Sequence, residues 1–267
     1  MTARPQNTAP GEVHLALSER SQVATIVVDR PEKLNALTLA LLDRLHEVAL
    51  GLADSSARVV VIRTAGDRVF SVGADITHFA GLDSVAMWRT WIATGHRAFD
   101  AIASLKQPTI AVIDGLAYGG GLELALAADF RVIASEARIA LPETGLGTVP
   151  GWGGTERVTE LVGRARAKEL VLARRVLTGA EALDWGLATR CADRAELEAS
   201  VLELQGELLG GGPIAVQLAK QIIDAAANGA PSSLLEALAG ALTATTDDLA
   251  EGIAAFHDKR PPVFLDH

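Results

Sequence analysis

The first 150 residues of the chain contain short apolar runs and longer segments in which apolar residues recur every three to four positions. Short runs rich in branched residues are typical of strands, whereas the longer spacing is typical of one buried helix face. A helix is predicted from Thr38, which, like Asn35, is a candidate cap. Its apolar face comprises Leu41, Leu42, Leu45, Val48, Ala49 and Leu52. The predicted strands cover residues 13–17, 22–29, 58–64, 109–115, 130–136 and 137–141.

Strands alternate with helices in this region, because further helices are predicted over residues 84–105 and from the glycine cluster at Gly119. That alternation indicates an α/β core. After about Gly154 the pattern is almost entirely helical, with predicted helices over residues 164–174, 194–209, 213–227 and 231–257. We therefore expect a poorly ordered tail, an α/β core, and a helical region that is a second lobe or an oligomerisation surface, over residues 1–11, 12–205 and 206–267.

Composition and charge narrow the possible functions. The 267 residues are 49% hydrophobic and 21% charged, as expected of a packed globular protein, and the net charge is −9. This acidic balance argues against broad binding to nucleic acid or to anionic membranes, because both require a basic surface. The single cysteine, Cys191, excludes an internal disulfide. Neither a secretory signal nor a 20-residue apolar run is evident, so we expect a cytoplasmic protein without membrane association.

Two glycine-containing segments are the main candidates for chemistry, "FSVGADI" at residues 70–76 and "AYGGGLEL" at 117–124. The second is not a P-loop, since no Lys-Ser/Thr pair follows the glycines, and it lacks the Gly-x-Gly-x-x-Gly dinucleotide pattern. Amides at the start of the following helix have no intrahelical partner and favour negative charge. Together with an amide from residues 70–76 they could form an oxyanion hole. Alternatively, both segments are tight turns that pack closely.

Two glutamates near these segments can be interpreted either as ordinary structural charges or as catalytic acid/base groups. Glu123 lies in the first helical turn, where a carboxylate commonly interacts with the helix dipole. Glu143 precedes a glycine-rich loop and could be a solvated charge. If both lie beside an anion-stabilising site, they could divide acid and base work between them. The six histidines show no metal-ligand spacing, so no metal site is predicted.

Several motifs in order along the chain carry a resemblance to a known family. They are "DRPEKLNALT", "FSVGADI", "AVIDGLAYGGGLELALAADFRVIA", "LPETGLGTVPGWGGTERV", "LTGAEALDWGLATR" and "TTDDLAEGIAAFHDKRPPVF". With these motifs the chain resembles the enoyl-CoA hydratase/isomerase (crotonase) superfamily, hydratase type. The resemblance implies a crotonase-like α/β fold of stacked ββα turns, whose helical C-terminal region builds a homotrimer or homohexamer.

The resemblance also implies a reaction and its site. The substrate would be an acyl-CoA thioester, with coenzyme A as part of the substrate and no separate cofactor. Val72 and Gly120 match the two amides that hold the enolate-like oxygen. Glu123 and Glu143 match the acid/base pair, to which we assign water activation and proton donation, respectively. Gly151 matches the residue whose amide helps to hold the reacting water. The alternatives are another acyl-CoA reaction, such as isomerisation or decarboxylation, and acyl-CoA binding without catalysis.

Coenzyme A contacts are likewise implied by the resemblance. One edge of the nucleotide groove would contain Lys33, Leu34 and Ala36, and the adenine would lie near residues 74–76. The matching positions are Lys33, Leu34, Ala36, Gly73, Ala74, Asp75, Ile76, Tyr118, Phe256 and Lys259. The last two belong to the final helix, of the same subunit or of a neighbour. The plain alternative is that the lysines are ordinary surface charges.

Bulky residues depart from the family pattern near the acyl group. Val72 occupies a position where relatives usually have alanine, and Trp152 one where many have a small residue. Trp88 and Trp91 lie in a segment that varies with the acyl group in this family. We hypothesise that these side chains restrict the acyl pocket to short or flat groups; the alternative is packing in the core or at an interface.

Overall fold

The computed structural model describes residues 11–18 and 22–266, so nearly all of the predicted tail lies outside the described residues. Ten strands are described: β1 Glu12–Leu17, β2 Val23–Asp29, β3 Val59–Thr64, β4 Val69–Ser71, β5 Thr109–Ile113, β6 Leu116–Tyr118, β7 Phe130–Ala134, β8 Arg138–Ala140, β9 Leu177–Thr178 and β10 Arg190–Ala192. The first six helices are α1 Leu39–Ala53, α2 Ile76–Phe79, α3 Ser84–Ala86, α4 Ala93–Ala103, α5 Gly120–Leu126 and α6 Gly154–Leu172. The remaining helices are α7 Gly179–Trp185, α8 Leu197–Leu209, α9 Pro213–Ala227, α10 Ser232–Thr243 and α11 Asp247–Asp258.

A six-stranded sheet in the order β1-β2-β3-β5-β7-β10 forms the centre of the α/β core. Only the β1–β2 pair of this sheet is antiparallel. β5 is buried along its whole length, as expected of a parallel strand covered on both faces. The six apolar residues predicted for α1 are all buried, and the hydroxyl of Thr38 accepts a hydrogen bond from the Leu41 amide at 3.2 Å. The α/β prediction is therefore confirmed, and Thr38 caps the helix.

A second sheet has the order β4-β6-β8-β9, and only its strand β8 was predicted, as the strand over residues 137–141. Each of its strands has only two or three residues, which is too short for a periodic signal. One of these strands, β6, lies between the strand predicted over residues 109–115 and the glycine cluster at Gly119. β4, β6 and β8 are parallel, so their carboxyl ends meet at one edge of the sheet.

The C-terminal helices attach to the core through partly buried polar contacts. The Lys220 ammonium on α9 lies 2.7 Å from the Asp129 carboxylate, and the Arg58 guanidinium donates to the carbonyls of Leu209 and Gly211. The single helix predicted over residues 231–257 is wrong, because the chain breaks between α10 and α11, where the Thr246 hydroxyl caps the second helix. The predicted division at residue 205 falls within α8 and stays a prediction. No helix among the described residues is long and apolar enough to cross a membrane.

Candidate active site

The candidate site lies where the three parallel strands of the second sheet end. Val72 follows β4, Gly119 follows β6, and Glu143 comes three residues after β8. The first two loops touch through their backbones: a Cβ added to Gly73 would lie 2.7 Å from the Tyr118 carbonyl oxygen and 2.8 Å from the Gly120 nitrogen. Gly73 also has a φ of +90°, which a side chain would disfavour. Glycine at this position therefore permits the contact between the loops.

The two amides expected to form an oxyanion hole differ in their contacts. The Gly120 amide, at the first residue of α5, has no hydrogen-bond acceptor among the described residues. The Val72 amide instead donates to the Leu34 carbonyl at 3.1 Å, so it is engaged rather than free as expected. The cause is the left-handed backbone of Leu34, whose φ is +54°. The pairing of these two amides on one substrate oxygen stays a prediction, and it requires the Leu34 carbonyl to turn away.

Polar side chains from residues 30–37 hold the first donor loop in place. The Asn35 amide donates to the carbonyls of Ala65 and Val69, and the Asn35 carbonyl accepts from the Ser71 hydroxyl at 2.7 Å. The same hydroxyl accepts from the Gly73 amide at 3.0 Å. Sequence reasoning considered Asn35 only as a helix cap. Its buried side chain instead contacts the backbone of Arg30, Ala65 and Val69. A local sequence pattern does not reveal these contacts.

A buried ion pair supports the same loop. The Arg30 guanidinium lies 2.7 Å from the Asp75 carboxylate and donates to the Ala36 carbonyl. Burial acts to raise the pKa of Asp75, but hydrogen bonds from Thr77 and Arg30 together lower it below its ordinary value. The Asp75 carboxylate is thus committed to the protein, and a contact of this residue with adenine stays a prediction. Sequence reasoning did not single out Arg30.

A cavity of about 180 Å³ opens beside the contacting loops. Five residues expected to be catalytic line it, namely Val72, Gly120, Glu123, Glu143 and Gly151. The structure therefore brings all five predicted catalytic residues to one cavity.

Glu123 is almost fully buried at 2% exposure. One carboxylate oxygen, Oε1, accepts from the Trp152 amide at 2.8 Å and from the Gly154 amide at 2.9 Å. Burial raises the pKa of Glu123, and the amides of Trp152, Gly154 and Gly151 act in the opposite direction. Because Oε1 accepts the amides of Trp152 and Gly154, the carboxylate is held in one orientation.

Glu143 is less buried, but one of its oxygens lacks a partner. Among the described residues, no hydrogen-bond donor reaches the buried Oε2. Burial raises the pKa of Glu143 to about 7, and the nearby Glu123 charge acts in the same direction. A carboxyl group with a pKa near neutrality can both donate and accept protons under physiological conditions. Its unpartnered oxygen is therefore suited to contact a ligand or a reacting group.

Replacing Glu143 with glutamine should alter how stability depends on pH. The folded-state pKa of about 7 exceeds the ordinary value of 4.5, so the folded protein binds more protons between these pH values. Stability of the wild-type protein should therefore fall as pH rises through this window, and glutamine removes that loss. Relative to wild type, Glu143→Gln should gain about 1–2 kcal/mol in free energy of unfolding between pH 5 and pH 8, after discounting for solvent screening. Urea unfolding at both pH values measures the difference; an offset that is constant with pH would contradict the prediction.

The residues expected to bind coenzyme A separate into two groups. Residues 33–37 and 73–76 lie together, because the Leu37 amide donates to the Gly73 carbonyl at 2.7 Å and the Asp75 amide to the Leu37 carbonyl at 2.9 Å. Within these segments Lys33, Leu34 and Ile76 are exposed, Ala74 is half-buried and Ala36 is buried; Tyr118, in β6, is half-buried. The exposed side chains of Phe256 and Lys259, at the end of α11, do not line the cavity of their own subunit.

The three tryptophans expected at the acyl pocket do not all lie there. Trp91 and Trp152 are buried and line the cavity. Trp88 is 66% exposed, stacks against the Arg89 guanidinium and lies outside the cavity, so the hypothesis is wrong for this residue. The helix predicted over residues 84–105 contains a π-helical turn, Met87–Ile92, and ends at Ala103.

Comparison with known proteins agrees with this architecture. The sequence model of the enoyl-CoA hydratase/isomerase family matches residues 18–267. Crotonyl-CoA hydratase of Syntrophomonas wolfei is 35% identical over 94% of this chain and 98% of its own length. Mitochondrial methylglutaconyl-CoA hydratase of Mus musculus is 38% identical over 91% of this chain and 80% of its own length.

A solved structure extends the agreement to the fold. The crystal structure of enoyl-CoA hydratase from Bacillus anthracis superposes with a TM-score of 0.89 at 34% identity, covering 96% of this chain and 99% of the other. The predicted crotonase-like α/β fold is therefore confirmed. The family match over nearly the whole chain and these relatives lead to one conclusion: the chain belongs to the enoyl-CoA hydratase/isomerase family.

Proposed function

We propose that this protein is an enoyl-CoA hydratase, a hydro-lyase that adds water reversibly to a trans-2-enoyl-CoA. The observation that carries the proposal is the pair of glutamates, Glu123 and Glu143, on one cavity beside the unpartnered Gly120 amide. Burial raises the pKa of both carboxyl groups, and that of Glu143 reaches about 7, which favours proton exchange by Glu143 near neutral pH. A reaction with a single base would not need this pair.

The proposed reaction begins with water held between the two glutamates. Glu123 takes a proton from the water as its oxygen bonds to C3 of the enoyl group. The C2–C3 π electrons move toward the thioester, and negative charge develops on its carbonyl oxygen. The Gly120 amide donates to that oxygen, joined by the Val72 amide once the Leu34 carbonyl has turned away. A well-placed donor of this kind contributes about 3–4 kcal/mol to transition-state stabilisation.

Protonation at C2 completes the addition. Glu143 in its protonated form transfers a proton to C2, and the enolate electrons form the new C–H bond. One proton has then moved onto Glu123 and one has left Glu143, so the two carboxyl groups exchange roles. Proton exchange with solvent restores the starting state. The Gly151 amide would help to hold the reacting water, and the same amide acts to lower the pKa of Glu123.

The oligomeric state and the coenzyme A contacts are part of the same proposal. A groove between α9 and α10 is lined by Leu218, Gln221, Ile222, Ala225, Leu235, Leu238, Ala239 and Leu242. Exposed apolar surface of this kind supports a homotrimer or homohexamer through the C-terminal helices. Lys33 and, from a neighbouring subunit, Phe256 and Lys259 would then hold the nucleotide. We propose a cytoplasmic location, with no nucleic-acid or membrane partner.

A direct assay tests the reaction. The protein is mixed with but-2-enoyl-CoA, the absorbance of the conjugated thioester is followed, and the product is identified by mass spectrometry. We expect the absorbance to fall and the product to have gained one water molecule. Conversion to a product without added water would instead indicate an isomerase or another crotonase-type reaction. Tight binding of coenzyme A esters with no conversion would indicate an acyl-CoA-binding protein.

A further inference from the structure

An aromatic cluster forms one wall of the cavity, next to the proposed oxyanion site. The rings of Trp91 and Trp152 lie 5.4 Å apart between centroids, and Phe79 and Phe99 pack edge-on against Trp91 and Trp152, respectively. The Trp152 indole nitrogen also donates to the Trp91 carbonyl at 3.3 Å. Both tryptophans are 2% exposed. The wall is therefore a packed unit rather than a set of mobile side chains.

Two glycines hold the Trp152 ring between them. A Cβ added to Gly95 would lie 2.2 Å from the indole ring, and one added to Gly120 would lie 2.4 Å from it. Both distances are far below van der Waals contact. The ring therefore packs directly against the backbone that carries the proposed oxyanion donor. An acyl chain attached to a thioester at that donor must pass along this wall.

The π-helical turn at Met87–Ile92 completes the wall. Its consecutive residues Trp91 and Ile92 both line the cavity. π-Helical turns inside longer helices are frequent at functional sites. Trp88 lies in the same turn and is exposed. The turn thus separates one tryptophan that limits the cavity from one that does not.

The cavity offers no cationic partner for an anionic acyl group among the described residues. Of those that line it, Glu123 and Glu143 are the only charged ones, and Thr148 supplies the only hydroxyl. A free carboxylate on the acyl group would lose its hydration among apolar walls and would lie near two acidic side chains. Transfer of an unpaired carboxylate from water to an apolar environment is strongly unfavourable.

The space beside the aromatic wall suits a short acyl chain. The cavity measures about 180 Å³, and an engineered apolar cavity of about 150 Å³ in another protein holds one benzene molecule. By that comparison the cavity accommodates an acyl group of about six carbons. A longer chain that extends toward the wall would meet the packed rings of Trp91 and Trp152.

From these observations we infer that the acyl group of the substrate is short and uncharged, and that Trp91 ends the acyl site. The inference rests on the proposed hydratase function and specifies its substrate. It also distinguishes between two relatives of nearly equal similarity, one named for crotonyl-CoA and the other for methylglutaconyl-CoA, whose acyl group carries a free carboxylate. Sequence identity does not separate them, whereas the charge of the cavity wall does.

Specificity constants test the inference. The wild-type protein should show kcat/KM for but-2-enoyl-CoA at least about tenfold above the values for trans-2-decenoyl-CoA and 3-methylglutaconyl-CoA. Trp91→Ala should raise the decenoyl-to-butenoyl ratio of kcat/KM about tenfold or more. Trp88→Ala, a matched substitution in the same turn but outside the cavity, should leave the ratio unchanged. A preference for the methylglutaconyl ester, or an unchanged ratio in Trp91→Ala, would overturn the inference.

Binding of saturated esters makes the test independent of catalysis. Dissociation constants for butanoyl-CoA, decanoyl-CoA and 3-methylglutaryl-CoA should follow the same order in the wild-type protein. If none of the enoyl esters is hydrated, the proposed function fails while these constants still decide the selectivity. Trp91→Leu keeps an apolar side chain at this buried position, and it provides the second variant if Trp91→Ala does not fold. The ratio of the dissociation constants for decanoyl-CoA and butanoyl-CoA should differ between wild type and a folded Trp91 variant. An equal ratio in the two proteins would contradict the assignment of Trp91.

Discussion

Replacing Glu123 with glutamine should lower kcat for hydration of but-2-enoyl-CoA by a factor of about 10²–10⁴, the usual contribution of a general base. The glutamine carbonyl can still accept the amides of Trp152 and Gly154, which Oε1 holds at 2.8 and 2.9 Å in the wild-type protein. The side-chain position is therefore preserved, while the group that accepts the proton of water is lost. Steady-state kinetics near pH 7 measure the effect.

Two controls separate lost chemistry from lost structure. Glu156→Gln makes the same substitution at an exposed position in the first turn of α6, and it should leave kcat unchanged. Thermal unfolding should show that Glu123→Gln remains folded, and its affinity for butanoyl-CoA should be near that of wild type. A folded Glu123→Gln protein with kcat within about threefold of wild type would exclude Glu123 as the base.

Replacing Arg30 with methionine should lower the free energy of unfolding by about 3–5 kcal/mol, because it leaves a buried charge without its main partner. The Arg30 and Asp75 side chains are nearly inaccessible to water, and their charged atoms lie 2.7 Å apart. Hydration activity should also fall, since both side chains hold the loops that line the cavity. Urea unfolding monitored by tryptophan fluorescence measures the stability change.

A double variant and a surface control sharpen this prediction. Arg30→Met combined with Asp75→Asn removes both charges, so its loss of stability should be less than the sum of the two single losses. Arg44→Met breaks an exposed ion pair with Glu47 at 2.9 Å and should cost less than about 1 kcal/mol. Strict additivity of the two buried substitutions would show that the pair is not energetically coupled.

The central sheet and the first long helix could be predicted because their apolar patterns are long and regular. The buried face of α1 matches the predicted one residue for residue, and β2, β3 and β5 lie within one or two residues of their expected bounds. Of the second sheet only β8 was predicted, as the strand over residues 137–141; the sheet itself could not be predicted, since its short strands pair with neighbours distant in sequence. The break before α11 had a local signal, the capping Thr246 followed by two aspartates, which the continuous helical pattern concealed.

The sequence predicted which residues belong to the candidate site, but not how those residues contact one another. The glycine motifs and the two glutamates were found because the family motifs contain them, and the structure gathers them around one cavity. The contact between the Val72 amide and the Leu34 carbonyl depends on a left-handed backbone that a sequence pattern does not specify. The exposure of Trp88 depends likewise on a π-helical turn, because three-residue spacing alone would place it beside Trp91 on an ordinary helix.

The π-helical turn at Met87–Ile92 also makes substrate range and catalysis separable in evolution. Loss or gain of one codon there would rotate the preceding segment by about 100° relative to α4 and change which side chain faces the acyl group. The loops after β4, β6 and β8, which carry the proposed reaction, belong to the second sheet and lie outside the segment that would rotate. A lineage could therefore acquire a new chain-length preference in a single mutational step while every residue proposed to act in the reaction stays in the sequence.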